Sequence, residues 1–408
     1  MTVKERFLNY ISYWTTSDEN SNSTPSTKRQ FDLARVLQKE LEQLGFSHIK
    51  LDEHCYVYGL LPATPGYETK QAIGFIAHMD TAPDYSGYQV KPQIIESYDG
   101  KDILLRGSGE SIRVADFPHL ADLKGRTLIT TDGTTLLGAD DKAGIAEILT
   151  AMEEIIHEHI PHGDLWVGFT PDEEIGAGAD HFDLDSFRAD YAYTLDGDYE
   201  GEIAYENFNA ASAEFTIHGI SVHPGSAKNI MVNASAIACE LQQMLPKEQT
   251  PEHTADREGF IHLHNMQGDV SQAHLSYIVR DHDANRFQEK KLLLQATADY
   301  LNQKYGKNTV QLSLTDSYSN MLEVIEQNFF IIEAARQAIQ STGLTAISTP
   351  VRGGTDGARL SFMGLPCPNL GTGGHAYHGP YEHISLEGMN TAIQIIKEIV
   401  RHPFEREM

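Results

Sequence analysis

The chain has 408 residues, 40% of them hydrophobic, and carries 58 Asp and Glu against 31 Lys and Arg, a formal net charge of −27. That length supports a large core and two domains, while the charge argues against nucleic acid or an anionic membrane as partner. Cys55, Cys239 and Cys367 are too few and too scattered for a disulfide framework or a thiolate metal site, which fits a reducing, cytoplasmic setting.

In chain order, "MTVKERFLNYISYW" carries charges in its first turn and lacks the apolar core of an export leader. No run of eighteen apolar residues occurs anywhere, so a membrane span is not expected. A short polar tract, "SDENSNSTPST", precedes "STKRQFDLARVLQKELEQLGF", in which Phe31, Ala34, Leu37, Leu41 and Leu44 recur at helical spacing before Gly45. Thr27, three residues ahead of Gln30, has the spacing of a capping box and predicts the helix start. Continuous apolar runs then alternate with helical patterns: "YVYGLLPA", "AIGFIAHMD", the helix "AGIAEILTAMEEIIHEHI", "DLWVGFTP" and "YAYTLDG". Such alternation predicts an α/β domain with a mostly parallel sheet and helices on both faces.

From about residue 208 the pattern becomes strand, helix, strand, strand, helix, strand, ending near 317. That βαββαβ order is the one of a ferredoxin-like unit. The expected organisation is therefore a first domain formed by residues 1–207 and 318–408, with residues 208–317 inserted into it as a lid. The helical patterns "FFIIEAARQAIQ" and "MNTAIQIIKEIV" complete the first domain.

Acids and histidines gather where the predicted strands end. His78 and Asp80 in "IAHMDT" are two apart, on one side of an extended chain, so Asp80 is placed to orient a metal-binding His78; an ordinary surface pair is the alternative. Asp140 and Asp141 in "LLGADDKAG" stand at a helix start, where capping explains one acid comfortably and the other less well. Asp196 in "YTLDGD" is a turn residue or a ligand, and "GTGGHAYHGPYEH" adds His375, His378 and His383. Imidazole and carboxylate without thiolate suit one or two divalent ions such as zinc, with cobalt or manganese as substitutes. His78, Asp140, Glu174, Asp196 and one late histidine form such a set, and Glu173 in "TPDEEIG" is left as a general base.

Taken together, "HMD", "LLGADDKAG", "TPDEEIG", "TLDGD" and "YHGPYE" resemble the co-catalytic dizinc peptidases related to aminoacylase and carboxypeptidase G, over essentially the whole chain. The resemblance is closest to the tripeptide aminopeptidases of that family. It implies two zinc ions per subunit, bridged by Asp140, with His78 and Asp196 on one and Glu174 and His378 on the other. His378 is preferred to His375 because the family's last ligand lies four residues before a glutamate, here Glu382. Asp80 would orient His78, Glu173 would be the base, and a cis peptide would join Asp140 to Asp141. His223 in "SVHPG" resembles the oxyanion-stabilising histidine. Arg280, Arg352 and, more weakly, Asn233 resemble groups that hold the substrate. The implied reaction is release of the N-terminal residue from a tripeptide, and a homodimer joined through the inserted lid is common in the family. A dipeptidase, aminoacylase or carboxypeptidase on the same scaffold, and a non-catalytic metal binder, are the alternatives.

Overall fold

A computed structural model describes residues 1–405. The chain divides into two units, one formed by Met1–Tyr205, Glu323–Thr349 and the chain from Thr355 on, the other by Glu206–Leu322 with Pro350–Gly354.

The first unit is built on a seven-stranded sheet in the order Ser47–Leu51, Val57–Leu61, Leu165–Thr170, Ile73–His78, Tyr191–Gly197, Asn369–Gly371, Ile203–Ala204. The four strands from Leu165–Thr170 to Asn369–Gly371 are parallel to their neighbours, and the strands flanking them pair antiparallel. Every residue of Ile73–His78 and Leu165–Thr170 is buried, so layers cover both faces and the strands read as unbroken apolar runs. Ile73–His78 lies between the two strands that follow it, which makes it the point where the winding of the sheet reverses. His78 pairs with Thr170 on one side, and Ile76 pairs with Thr194 on the other. The register therefore brings His78, the "TPDEE" turn and Asp196 to one crevice at the carboxyl ends of the strands.

Helix Ala139–His157 packs against Ile73–His78 and against the C-terminal helix Leu386–Arg401. The latter buries Met389, Ile393, Ile396 and Val400 along one side. Each such aliphatic side chain contributes about 1.5–3 kcal/mol when fully buried. The capping box expected at Thr27 is not formed. Helix Gln30–Leu44 begins without a side-chain cap, the Thr27 hydroxyl donates to the Thr16 carbonyl, and Gln30 turns its amide inward. Its C-terminus follows expectation, with Gly45 at φ +83°.

A four-stranded antiparallel sheet was not anticipated from the sequence. It joins Gln93–Ile95 and Leu128–Thr130 to the C-terminal hairpin of Gly374–His375 and His383–Ser385. Its strands have two or three residues each, too short to show a period.

The second unit is an antiparallel sheet in the order Phe260–Gly268, Gln272–Asp281, Asn209–His218, Val310–Tyr318, with helices Ala234–Met244 and Ala284–Tyr305. Phe215, Ile237, Leu241, Leu275, Leu294 and Leu301 share its core.

One glycine sets how closely a helix approaches the crevice. A Cβ on Gly144 would stand 2.2 Å from the Leu195 carbonyl oxygen and 2.4 Å from Asp141 Oδ1. The backbone cannot yield cheaply there, so Gly144→Ala is expected to lower stability by about 1–3 kcal/mol in urea denaturation. A midpoint equal to that of the parent would contradict this account of the packing.

Candidate metal centre

His78 ends its strand with its side chain 2% exposed and its two ring nitrogens facing opposite ways. Nδ1 lies 3.1 Å from the Asp80 carbonyl oxygen and 3.3 Å from Asp80 Oδ1. Nε2 lies 2.8 Å from Asp140 Oδ1 and 3.5 Å from Asp196 Oδ1. Contact of Nδ1 with Asp80 fixes the tautomer and leaves Nε2 for the carboxylates beyond it. Asp80 also ties the acidic doublet to this strand, because its Oδ1 and Oδ2 accept the backbone N–H groups of Glu173 and Glu174 at 3.0 and 3.2 Å.

The adjacent acids Asp140 and Asp141 divide the roles that sequence left open. Asp141 is the cap: its Oδ1 accepts from Gly144 N–H at 3.2 Å and its Oδ2 from His78 N–H at 3.1 Å. Asp140 faces the imidazoles, with Oδ1 toward His78 and Oδ2 at 3.2 Å from His378 Nε2. The peptide between them is cis. Each oxygen of Asp140 thus meets a different histidine, the disposition a bridging carboxylate requires. His378 Nε2 is also 3.0 Å from Glu174 Oε2, while Glu174 Oε1 is buried without a partner.

His78, Asp140, Glu174, Asp196 and His378 therefore come together, with Asp80 and Glu173 beside them. Among the described residues, two groups of ligand atoms lie within 4.8 Å of one another: His78 with Asp140 and Glu174, and His78 with Asp196 and the capping Asp141. His378 adjoins the first through Asp140 and Glu174. Of the late histidines only His378 reaches this cluster. His375 and His383 instead pack against His119, at ring distances of 4.3 Å (tilted) and 5.1 Å (stacked). His223, Asn233, Arg280 and Arg352 belong to the second unit.

Two further acids shape the crevice: Glu382, which the sequence marked only by its spacing from His378, and Asp356, which it did not single out. Glu382 is 1% exposed and accepts the N–H groups of Leu137, Gly138 and Asp140 at 2.6, 2.9 and 3.0 Å, which clamps the turn that presents Asp140. Its fixed distance from His378 was the available signal. Asp356, in "GGTDGA", accepts from the Thr170 hydroxyl at 2.9 Å and lines a small cavity with His78, Asp141, Glu173, Thr194 and Asp196.

Burial sets the electrostatics. It pushes Glu174 up to about 8 and Asp196 up to about 6, and it raises Glu173 well above the ordinary carboxyl range. Asp140 moves the other way: burial opposes its ionisation, but hydrogen bonds from His378 and His78 hold it far below the usual value. Asp140 and Glu174 in turn draw His378 up to about 11. Crowded acids balanced only by protonated imidazoles, with one buried carboxylate oxygen unpartnered, match the donor set of a divalent cation. Binding one requires neutral His378 and ionised Glu174 and Asp196, so protons must leave. Titration with a divalent cation at pH 7 in weak buffer is expected to release at least one proton per chain, with affinity falling as pH falls. Uptake without proton release would overturn the ligand assignment.

Residues 132–402 match the model of peptidase family M20/M25/M40. Proteins named Peptidase T from Alkaliphilus oremlandii and Caldanaerobacter subterraneus subsp. tengcongensis are 53% and 54% identical, over 97% and 98% of this chain and 98% of each relative. Among solved structures, aminopeptidase PepT from Bacillus cereus superposes with a TM-score of 0.77 at 22% identity, covering 98% of this chain and 97% of that one. A dinuclear metal-binding peptidase of the M20 family from Bacillus subtilis gives 0.67 at 14%, covering 98% of each. These two likenesses establish the fold. With crevice, donor set and full-length relatives in agreement, the chain belongs to peptidase family M20/M25/M40.

Proposed function

We propose that this hydrolase is a cytoplasmic, metal-dependent aminopeptidase that releases the N-terminal residue from tripeptides, with a site for two divalent ions such as zinc. The observation that carries the reading is Asp140, whose two oxygens face His78 and His378 beside the unpartnered Glu174 Oε1. His78, Asp140, Glu174, Asp196 and His378 would hold the metal. Divalent ions bound there supply Lewis acidity, polarising a carbonyl and making water easier to deprotonate.

The remaining work falls to the chain. Glu173 shares the cavity of His78 and Asp196, and its backbone N–H is held by Asp80. Its carboxylate takes the proton of the attacking water and returns it to the leaving amine, a role favoured by a raised pKa. In the second unit, His223 is exposed and its Nδ1 accepts the Gly225 N–H at 3.1 Å. A neutral ring in that state carries its proton on Nε2, as a donor to the oxyanion must.

Arg280 and Arg352 are the proposed grips for the tripeptide carboxylate, and their surroundings differ. Arg280 lies over Tyr318 with Nη1 donating to the carbonyls of Ala211 and Val279. Arg352 has Nη1 on the carbonyls of Asp256 and Glu258 and Nη2 on Thr254, so gripping a carboxylate requires it to exchange those bonds. Arg280 is the first choice on that account. Asn233 accepts the Ala236 N–H as a helix cap, which leaves its amide NH2 for substrate.

Zinc is favoured by a donor set of imidazole and carboxylate, with cobalt or manganese as substitutes. The cytoplasm is favoured by Cys55, Cys239 and Cys367 all being free, and among the described residues no helix is long and apolar enough to cross a membrane. A homodimer is part of the reading, for which the open edge of Phe260–Gly268 offers a pairing surface.

Tripeptide hydrolysis is expected to vanish on chelation and return with zinc, cobalt or manganese. Glu173→Gln should keep the metal and lose about 10²- to 10⁴-fold in kcat. Equal turnover of a tetrapeptide or an N-acyl amino acid would sink the tripeptide assignment. Unchanged hydrolysis by Glu173→Gln would remove the base.

A further inference from the structure

The polar tract before the first long helix is not a bystander. Asp172, immediately ahead of the acidic doublet, is 1% exposed, and its carboxylate is surrounded by donors from that tract and from the start of the helix that follows it. Ser26 N–H reaches Oδ2 at 2.6 Å, while the Ser26 hydroxyl and Gln30 Nε2 reach Oδ1 at 2.5 and 2.6 Å. Ser26 and Gln30 are themselves buried. Asp172 has φ +58°, a left-handed conformation uncommon for non-glycine residues. Its carbonyl accepts the Ala177 N–H at 3.0 Å, closing the turn that contains Glu173 and Glu174.

The doublet is consequently held from two directions. Asp80 grips the N–H groups of Glu173 and Glu174 from the His78 side, and Ser26 with Gln30 grip the residue in front of them from the N-terminal side. Glu174 has a second anchor in His378, whereas among the described residues no side-chain hydrogen bond or ion pair holds the Glu173 carboxylate, so its direction depends on its backbone. We infer that Asp172, latched by Ser26 and Gln30, is a positioning residue for Glu173, so that the N-terminal segment sets the aim of the base rather than the binding of metal or peptide. The inference rests on Glu173 being that base.

The latch can be broken and remade without touching a ligand. Asp172→Asn leaves an amide facing the Gln30 amide, and Gln30→Glu sets two carboxylates against each other. The double variant restores one donor and one acceptor in exchanged positions. Each single variant is expected to lose on the order of ten- to a hundred-fold in kcat, as small displacements of reacting groups do, with KM and metal content equal to the parent's. The double variant should recover most of the loss. Ser26→Ala, which removes only one donor, gives a smaller kcat effect of the same kind and serves if the stronger variants do not fold. Parental kcat in the folded single variants, a loss that tracks metal content or KM, or a double variant no better than the singles would overturn the inference. Glu173→Gln measured alongside separates the two levels: if it retains activity the base assignment fails, and the latch with it. If it is inactive while the latch variants match the parent, only the latch fails.

Discussion

The crevice is governed by repulsion among carboxylates. Asp80, Asp140, Asp141, Glu173, Glu174, Asp196, Asp356 and Glu382 crowd around His78 and His378 at the ends of adjacent strands. Two like charges 4 Å apart oppose each other by about 4 kcal/mol at an effective dielectric constant of 20. Such a cluster persists only if each acid has a reason to stay ionised or to hold a proton. Asp80, Asp141 and Glu382 are occupied by backbone N–H groups, and Asp356 takes the Thr170 hydroxyl. Asp140, Glu174 and Asp196 are left facing imidazole, and it is these that a cation must satisfy.

The same division explains why the local backbone is shaped as it is. Carboxylates with structural duties sit one residue or one turn from those with chemical duties, and they steer them. Asp141 begins the helix so that Asp140 turns outward, Glu382 clamps the loop ahead of Asp140, and Asp80 holds the doublet by its amides. Parallel strand ends bring these pieces within reach, because the register aligns His78 with Thr170 and, two residues on from the Ile76–Thr194 pair, with Asp196.

Much of this was legible before any coordinates. Apolar strands of five to seven residues announced the central sheet, and the two-residue spacing of His78 and Asp80 put both at one strand end. The candidate donors followed from where acids and histidines fall relative to those ends, while family likeness singled out His378 and ordered Glu173 and Glu174. What stayed hidden depends on distant contacts or on single dihedral angles. Which of two adjacent aspartates caps a helix is a matter of backbone rotation. The Glu382 clamp joins groups 242 residues apart, and the second sheet pairs strands too short to show periodicity. Thr27 had the spacing of a cap, but the Thr16 carbonyl took its hydroxyl and Asp172 took Gln30, so tertiary demand overrode the local motif.

The clamp has a bearing on how the protein is made. His78 and His378 are separated by 300 positions, and Glu382 lies beyond both. At about 5–20 residues per second a ribosome takes roughly 15–60 s to travel between the two histidines. Throughout that interval the hairpin that closes the turn ahead of Asp140 does not yet exist. A nascent chain therefore lacks both the last imidazole and the brace that aims Asp140. His378 and the Glu382 brace therefore join Asp140 and Glu174 only after the segment that carries them has been made.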